Sequence, residues 1–323
     1  MPQNSSFLVG DIGATNARFA LLDEGGLRRH RVLACEDWAS FEDALAHYLA
    51  EEPAEHVSAA ALAVASPIKG DLVAFTNSPW TFSTDKLRRR FGFERLIVVN
   101  DFTANAFSIP ELKPADLMQV GGGTVEAQAP IAVLGPGSGL GVSGLFPGDG
   151  GWIALSSEGG HATMAAANDR ESTVLAHMRR RFDHVSAERV LSGPGLVNLY
   201  NTLAEIERKP AAPYTPAQIT DPKLRETDPL CREAVAMFCA MLGTVAGDLA
   251  LTLGARGGVY IAGGIVPKLG TAFQTSPFRR RFEDKGRFGS YLATIPVFVI
   301  THHTPAFLGL GHLLRKAMKT PKD

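Results

Sequence analysis

Residues 96–110 read LIVVNDFTANAFSIP and contain the feature around which the rest of the chain can be arranged. The β-branched residues 97–99 are typical of a strand buried on both faces, and this strand ends abruptly at Asn100 and Asp101. Residues 102–108 have helix-compatible spacing. Open α/β sheets bind ligands where a strand's carboxyl end opens into a helix, so we predict that this strand delivers the Asp101 carboxylate to a ligand. Alternatively, Asp101 only caps the helix.

The composition indicates an ordinary globular chain of 323 residues, 45% of them hydrophobic and 20% charged, which is long enough to form two lobes. Lys and Arg number 32 against 33 Asp and Glu, so the chain lacks the strong field that would attract nucleic acid or an anionic membrane. Arginine runs such as residues 279–281 are interpreted as solvated helix faces. We therefore expect small molecules or the protein itself as partners.

Cysteine usage and the N-terminal residues bear on the cellular location. Cys35, Cys231 and Cys239 lack the CxxC spacing of a zinc site and do not form a secreted disulfide framework, so they fit reduced thiols. The N-terminal residues MPQNSSFLVGD lack the basic region and long apolar core of an export signal. No apolar run reaches the roughly 18 residues of a membrane span. The prediction is a cytoplasmic protein without a membrane or nucleic-acid partner.

A first glycine bend is predicted at residues 10–15, GDIGAT, between a short strand at residues 7–9 and a return strand. Gly10 and Gly13 allow backbone conformations that are closed to other residues. Successive N–H groups of such a bend can bind a phosphate, and Asp11 could hold the water shell of Mg²⁺. A plain tight turn is the alternative interpretation, because short glycine motifs are weak signals.

The second half of the chain repeats this pattern. Residues 131–134 form a predicted strand, GPGSGLG at residues 135–141 forms a second glycine bend that carries Ser138, and residues 142–146 begin a return strand. Two units of this kind predict a duplicated lobe in which both bends bind the same phosphate chain.

Three further signals follow the second bend. Glu158 and His161 flank two glycines that would let a ligand approach closely, although a single histidine is often structural. Glu188 is either a ligand-binding residue or a first-turn glutamate favoured by a helix dipole. Gly263 and Gly264 follow a predicted strand, where bare backbone suits the base and ribose of a nucleotide or simply ends the strand.

Taken together, these motifs resemble the bacterial ATP-dependent glucokinase family, within the actin, hexokinase and Hsp70 superfamily. The resemblance runs nearly end to end, in the family's order and spacing. Ala14 stands where the family usually has a second glycine, which is tolerable only if φ is negative there, and Ser138 stands where threonine is common. The motifs that carry the resemblance are GDIGATNAR, VVNDFTA, GPGSGLG, EGGH, SAERVLSGPG, IAGGIVPK and FEDKGRF.

The fold implied by this resemblance is of the α/β class. It consists of two ribonuclease-H-like lobes, which are duplicated mixed-sheet α/β domains, on either side of a deep cleft. The implied boundaries are a small domain of residues 1–110 plus 302–323 and a large domain of residues 111–301. The family also implies a homodimer.

The activity implied by the resemblance is transfer of the γ-phosphoryl group of ATP to the 6-hydroxyl of glucose, with Mg²⁺ as cofactor. Asp101 resembles the catalytic base, and Asp11 is expected near the metal, through water. The residues that resemble sugar ligands are Asn100, Asp101, Glu158, His161 and Glu188. The expected ATP-binding residues are Gly10, Asp11, Ile12, Gly13, Ala14, Thr15, Gly137, Ser138, Gly139, Gly263 and Gly264.

Two alternative functions stay open at this point. One is a kinase for another hexose or an aminosugar, because related pockets share the same carboxylates. The other is a non-catalytic sugar-sensing regulator, since transcriptional repressors exist in a sister group of sugar kinases. Against the regulator, the first bend begins at Gly10, so we expect no N-terminal DNA-binding domain, and Asp101 is present. The cysteine-rich zinc motif of that sister group is also missing from the sequence.

Overall fold

The structure is a computed structural model that describes residues 6–51, 57–75 and 79–319. The chain divides into two compact units: unit 1 comprises Met1–Lys113 with His302–Asp323, and unit 2 comprises Pro114–Thr301. The described elements of the N-terminal part of unit 1 are β1 (Ser6–Ile12), β2 (Asn16–Asp23), β3 (Gly26–Ala34), α1 (Phe41–Ala50), β4 (Val57–Val64), β5 (Leu72–Ala74), β6 (Thr81–Ser83), α2 (Thr84–Arg90), β7 (Arg95–Asn100) and α3 (Asp101–Ser108).

Unit 2 follows, and the chain then returns to unit 1 for its last helix, α13 (Pro305–Lys319). The described elements of unit 2 are β8 (Leu117–Val120), β9 (Ile131–Pro136), β10 (Leu140–Gly148), β11 (Gly151–Ser156), α4 (Asp169–Met178), α5 (Gly193–Ile206), α6 (Pro216–Thr220), α7 (Pro222–Thr227), α8 (Pro229–Leu253), β12 (Val259–Ile261), α9 (Val266–Leu269), α10 (Thr271–Gln274), α11 (Phe278–Glu283), α12 (Gly289–Ala293) and β13 (Val297–Ile300).

The two units contain sheets built on the same plan. In unit 1 the strand order is β3-β2-β1-β4-β7, where β1, β2 and β3 form an antiparallel meander and β4 and β7 run parallel to β1. In unit 2 the order is β11-β10-β9-β12-β13-β8, where β9, β10 and β11 form the meander and β12 and β13 run parallel to β9. The antiparallel strand β8 is an addition at the edge. This repetition confirms the predicted duplicated mixed-sheet α/β class.

Helices cover both faces of the unit 1 sheet. On one face, Phe41 and Tyr48 of α1 pack with Phe19 of β2 in a buried cluster. On the other face, Phe307 and Leu310 of α13 join the apolar side chains of β1 and β4. Because successive strand residues point to opposite faces, the sheet must be apolar on both of its sides, which explains the nearly continuous apolar runs of β1 and β4.

Strand β7 differs from its sequence-based prediction. It was predicted to be buried on both faces, but all six of its residues are partly exposed. Leu96 and Val98 pack against one core of unit 1, whereas Ile97 and Val99 pack against the other, so both faces are in use. The exposure follows from the position of β7 at the edge of the sheet, where no described strand pairs with its outer side.

Helix α8 is the one helix among the described residues that is long and apolar enough to cross a membrane by length and composition. In the structure, 72% of its most apolar 18-residue window is buried. Cys231, Phe238 and Leu242 of this helix have no exposed surface and belong to the core of unit 2. The helix is therefore packed as the core helix of this unit.

Candidate active site

The first glycine bend lies between β1 and β2, which pair as an antiparallel hairpin. The Gly13 N–H donates to the carbonyl of Asn16 at 2.9 Å, and this bond closes the bend. The N–H of Cys35, which directly follows β3, donates to the carbonyl of Thr15, also at 2.9 Å. These two bonds fix the backbone of residues 13–16, so the bend is held by its neighbours as well as by its own sequence.

The glycines of this bend serve a different purpose from the one predicted. Neither Gly10 nor Gly13 is among the described glycines with positive φ. A Cβ at Gly10 would lie 2.8 Å from Cδ2 of Leu62, so this glycine leaves room for a side chain of the neighbouring strand β4. The described non-glycine residues with positive φ do not include Ala14, so its methyl group is accommodated without backbone strain.

The Asp11 side chain lies at the carboxyl end of β1 beside this bend. Its Oδ2 is 3.4 Å from Nη1 of Arg18, and the two side chains are 28% and 38% exposed. The pKa of the Asp11 carboxyl is raised because its surroundings shield it from water, and the charge and hydrogen bond of Arg18 counter part of that rise. Arg18 was not identified from the sequence, although in the alternating pattern of β2 it faces away from Ala17 and Phe19, which are buried.

Asn100 and Asp101 form the junction between β7 and α3. Asn100 is the N-cap residue, and its Oδ1 accepts hydrogen bonds from the N–H groups of Phe102 and Thr103 at 2.9 and 3.4 Å. Asp101 is the first helical residue, and its Oδ1 accepts from the Phe102 N–H at 2.9 Å. The capping role that the sequence left open for Asp101 is thus carried mainly by Asn100.

Parallel pairing brings Asp101 and the first glycine bend to the same edge of the unit 1 sheet. Ile12 at the end of β1 pairs with Val64 of β4, and Val64 pairs with Asn100 at the end of β7. The bend and the carboxylate are therefore separated only by β4, which corresponds to two strand spacings or about 10 Å. This is the carboxyl edge at which open α/β sheets place their ligands.

In unit 2, the second glycine bend joins β9 to β10 in the same way. The Gly137 N–H donates to the carbonyl of Gly139 at 2.8 Å, and the Gly193 N–H at the start of α5 donates to the carbonyl of Gly137 at 2.8 Å. Gly263 has a positive φ of 83°, and a Cβ there would lie 2.4 Å from the carbonyl oxygen of Pro136. The second bend, the amino end of α5 and the Gly263–Gly264 turn thus lie together.

The remaining sugar-binding candidates of unit 2 are linked to each other through backbone hydrogen bonds. The His161 N–H donates to the carbonyl of Glu158 at 3.0 Å in a short 3₁₀ turn, and the Glu188 N–H donates to the carbonyl of Gly160 at 2.9 Å. Glu188 lies in a turn before α5, whose N-cap residue is Ser192. The alternative reading of Glu188 as a first-turn helix glutamate is therefore wrong.

The structure thus assembles the candidate residues within each unit. Unit 1 brings the first bend, Asp11, Asn100 and Asp101 to one sheet edge. Unit 2 brings the second bend together with Glu158, His161, Glu188 and Gly263. A carboxylate at the end of a strand fits a proton acceptor. Glycine bends between paired strands, with partly exposed backbone, fit phosphate binding.

Comparisons with known proteins agree with this chemistry. A sequence model of the glucokinase family, described as "Glucokinase", matches residues 8–317. The chain is 55% identical over 310 residues to a glucokinase of Paramagnetospirillum magneticum, covering 95% of this chain and 97% of that protein. It is 50% identical over 312 residues to a glucokinase of Chromobacterium violaceum, covering 96% of this chain and 90% of that protein.

A solved structure is similar over the same extent. The crystal structure of a glucokinase from an Antarctic psychrotroph superposes with a TM-score of 0.86 at 36% sequence identity, and the match covers 96% of this chain and 98% of that chain. Since the family model and the relatives span nearly the whole sequence, the chain belongs to the glucokinase family.

Proposed function

We propose that this protein transfers the γ-phosphoryl group of ATP to the 6-hydroxyl of glucose, giving glucose 6-phosphate and ADP. The observation that carries the proposal is the placement of the Asp101 carboxylate at the head of α3, on the same sheet edge as the first glycine bend. Membership in the glucokinase family supports glucose as the acceptor and ATP as the donor.

Asp101 acts as the general base in this proposal. A sugar hydroxyl has too high a pKa to ionise at neutral pH, so a carboxylate within hydrogen-bond reach must accept its proton as the bond to phosphorus forms. The O6–phosphorus bond forms while the bond between the γ-phosphorus and the β–γ bridging oxygen breaks. The proton moves to Asp101, and ADP leaves with the bridging oxygen.

Recognition of the sugar is assigned to Asn100, Asp101, Glu158, His161 and Glu188. Their side chains can accept or donate hydrogen bonds to several hydroxyl groups of a hexose. A sugar with an inverted or missing hydroxyl would leave some of these groups unpaired, and each unpaired buried group costs about 1–3 kcal/mol. Selectivity among hexoses follows from this cost.

The two glycine bends are assigned to the phosphates, and Asp11 to a Mg²⁺ ion that accompanies the nucleotide. Among the described residues, no group of three or more His, Cys, Asp or Glu side chains is arranged to hold a metal. Mg²⁺ on a nucleotide keeps several waters and needs only one or two protein carboxylates besides the phosphates, and Asp11 would be one of these. When bound, the ion neutralises charge on the phosphoryl group. The cytoplasmic location and the homodimer stay predictions.

A panel of sugars tests the proposed acceptor. Purified protein is assayed for ADP release with glucose, mannose, galactose, glucosamine and N-acetylglucosamine, and with ATP, ADP or polyphosphate as phosphoryl donor. We expect the highest kcat/KM with glucose and ATP, at least about tenfold above a sugar with one inverted hydroxyl. A higher kcat/KM with an aminosugar would favour the alternative kinase, whereas sugar binding without ADP release would favour the regulator.

Replacement of Ala14 tests whether its methyl group obstructs the phosphates. Because φ is not positive at Ala14, Ala14→Gly relieves no strain, and we expect KM for ATP to change by less than about twofold. The free energy of unfolding should fall by about 0.4–1 kcal/mol, since glycine gains entropy in the unfolded chain. Steady-state kinetics and urea unfolding measure the two effects. A severalfold fall in KM for ATP would show that the methyl group hinders nucleotide binding.

A further inference from the structure

The carboxylate of Glu188 contacts the second glycine bend directly. Its Oε2 accepts a hydrogen bond from the Leu140 N–H at 2.9 Å, although the two residues are 48 positions apart in sequence. A Cβ placed on Gly139 would lie 2.4 Å from the same oxygen atom. The absence of a side chain at Gly139 is therefore what lets this carboxylate reach the backbone of the bend.

The backbone N–H of Glu188 makes a second contact that holds this residue in place. The Glu188 N–H donates to the carbonyl of Gly160, and a Cβ on Gly160 would lie 2.0 Å from the carbonyl oxygen of Leu140. The Leu140 backbone is thus bonded to Glu188 through its N–H and packs against Gly160 at its carbonyl. Displacement of the Glu188 segment would therefore displace the start of β10 and the bend before it.

The chemistry of a carboxylate permits two partners at once. An ionised glutamate has two oxygens with about four acceptor sites, so one oxygen can hold the Leu140 N–H while the other accepts from a sugar hydroxyl. Hydrogen bonds to an ionised acceptor are shorter and stronger than those between neutral groups. The Glu188 side chain is consequently fixed by the bend before any sugar binds.

We propose that Glu188 is a positioning residue for the second glycine bend as well as a sugar ligand, so that the affinities for sugar and nucleotide are coupled through its bond to Leu140. This inference rests on the proposed function, because it assumes that the bend binds phosphates and that Glu188 binds sugar. Coupling between two ligands is reciprocal, so bound sugar and bound nucleotide change each other's affinity by the same factor. Because the coupling is assigned to the bond between Glu188 and the Leu140 N–H, a change that breaks this bond must weaken the binding of both ligands.

The first arm of the test changes the bend and measures the sugar. Gly139→Ala places a methyl group against the Glu188 carboxylate, and we expect the Kd for glucose, measured by calorimetry without nucleotide, to rise by about tenfold or more. Gly150→Ala, in the turn between β10 and β11, is the matched control, because a Cβ there meets nothing within 4 Å and φ is not positive. Its Kd for glucose should equal that of the wild-type protein. Equal sugar affinity of the two variants would overturn the proposal.

The second arm changes Glu188 and measures the nucleotide. Glu188→Asp keeps the negative charge but shortens the side chain, so the bond to the Leu140 N–H is lost without a change in net charge. We expect the Kd of a non-hydrolysable ATP analogue, measured without sugar, to rise severalfold. A Kd equal to the wild-type value would overturn the proposal. If circular dichroism shows that Gly139→Ala does not fold, this second measurement alone tests the proposal. Failure of the proposed function is distinguishable, because the wild-type protein would then either not bind glucose or release no ADP from glucose and ATP in the sugar panel.

Discussion

Asp101→Asn is expected to lower kcat for glucose phosphorylation by a factor of about 10²–10⁴, the usual contribution of a positioned general base. The amide has nearly the same shape as the carboxylate, and its oxygen can still accept the Phe102 N–H that Asp101 holds at 2.9 Å. It cannot, however, take the proton of the sugar hydroxyl. The Kd for glucose should stay within a few-fold of the wild-type value, so the loss appears in kcat.

Asp85 provides a matched control for this variant. It is also an acidic residue in the first turn of a helix of unit 1, where it forms ion pairs with Arg88 and Arg89 on α2. Asp85→Asn should turn over glucose at the wild-type rate. Single-turnover quench experiments on both variants, together with calorimetry of glucose binding, separate the chemical step from binding. Near-normal turnover of Asp101→Asn would remove Asp101 from its assigned role.

Gly309→Ala is expected to destabilise unit 1, because α13 and α3 are in close contact at this point. A Cβ at Gly309 would lie 1.9 Å from the carbonyl oxygen of Ala104 on α3, the helix that begins with Asp101. The two backbones must separate to admit the methyl group. We expect the free energy of unfolding to fall by about 1–3 kcal/mol, although alanine has the higher helix propensity by about 1 kcal/mol.

Gly311→Ala on the same helix is the control for this prediction. There the nearest atom to an added Cβ is Cδ2 of the Leu22 side chain at 3.0 Å, which can adjust, whereas a helix backbone cannot. Urea unfolding followed by the fluorescence of Trp38 and Trp80, in a Trp152→Phe background, reports on unit 1 alone. A Gly309→Ala variant as stable as the Gly311→Ala variant would contradict the close contact between α13 and α3.

The hairpins and their bends could be predicted from the sequence because they depend on residues that are close together in the chain. Alternating apolar residues on either side of a glycine-bearing bend predict an antiparallel pair, and both such pairs are present, β1 with β2 and β9 with β10. The repetition of this pattern also predicted the duplicated sheet plan. Ser40, Ser83 and Asp228 are the N-cap residues of α1, α2 and α8, and serine and aspartate are residue types that favour this position.

Features that depend on residues far apart in the chain could not be predicted from the sequence. A run of β-branched residues does not reveal whether a strand lies at the centre or the edge of a sheet, so the exposure of β7 was missed. The contact of Glu188 with Leu140 joins two distant segments, and its only trace in the sequence is that residue 139 is glycine. Sequence reasoning could therefore propose Glu188 as a ligand but not its bond to the bend.

The arginine run at residues 279–281 is another feature whose environment could not be predicted from the local sequence. It was interpreted as a solvated helix face, but only Arg280 is exposed. Arg281 pairs with Glu171 at 2.8 Å, and their side chains are 13% and 3% exposed. Arg279 donates to backbone carbonyls, including that of Ile295 at 2.9 Å. Burial of these charges depends on partners from α4 and from the segment before β13, which charge patterning along one helix does not indicate.

We propose that this protein phosphorylates glucose on its 6-hydroxyl at the expense of ATP. Carbon-13-labelled glucose incubated with the purified protein and Mg-ATP tests it in one measurement, by phosphorus and carbon NMR of the product. We predict a sugar phosphate with phosphorus coupling at C6 and one ADP for each sugar phosphate formed. ADP without a sugar phosphate, or a phosphate on another carbon atom, would contradict the account.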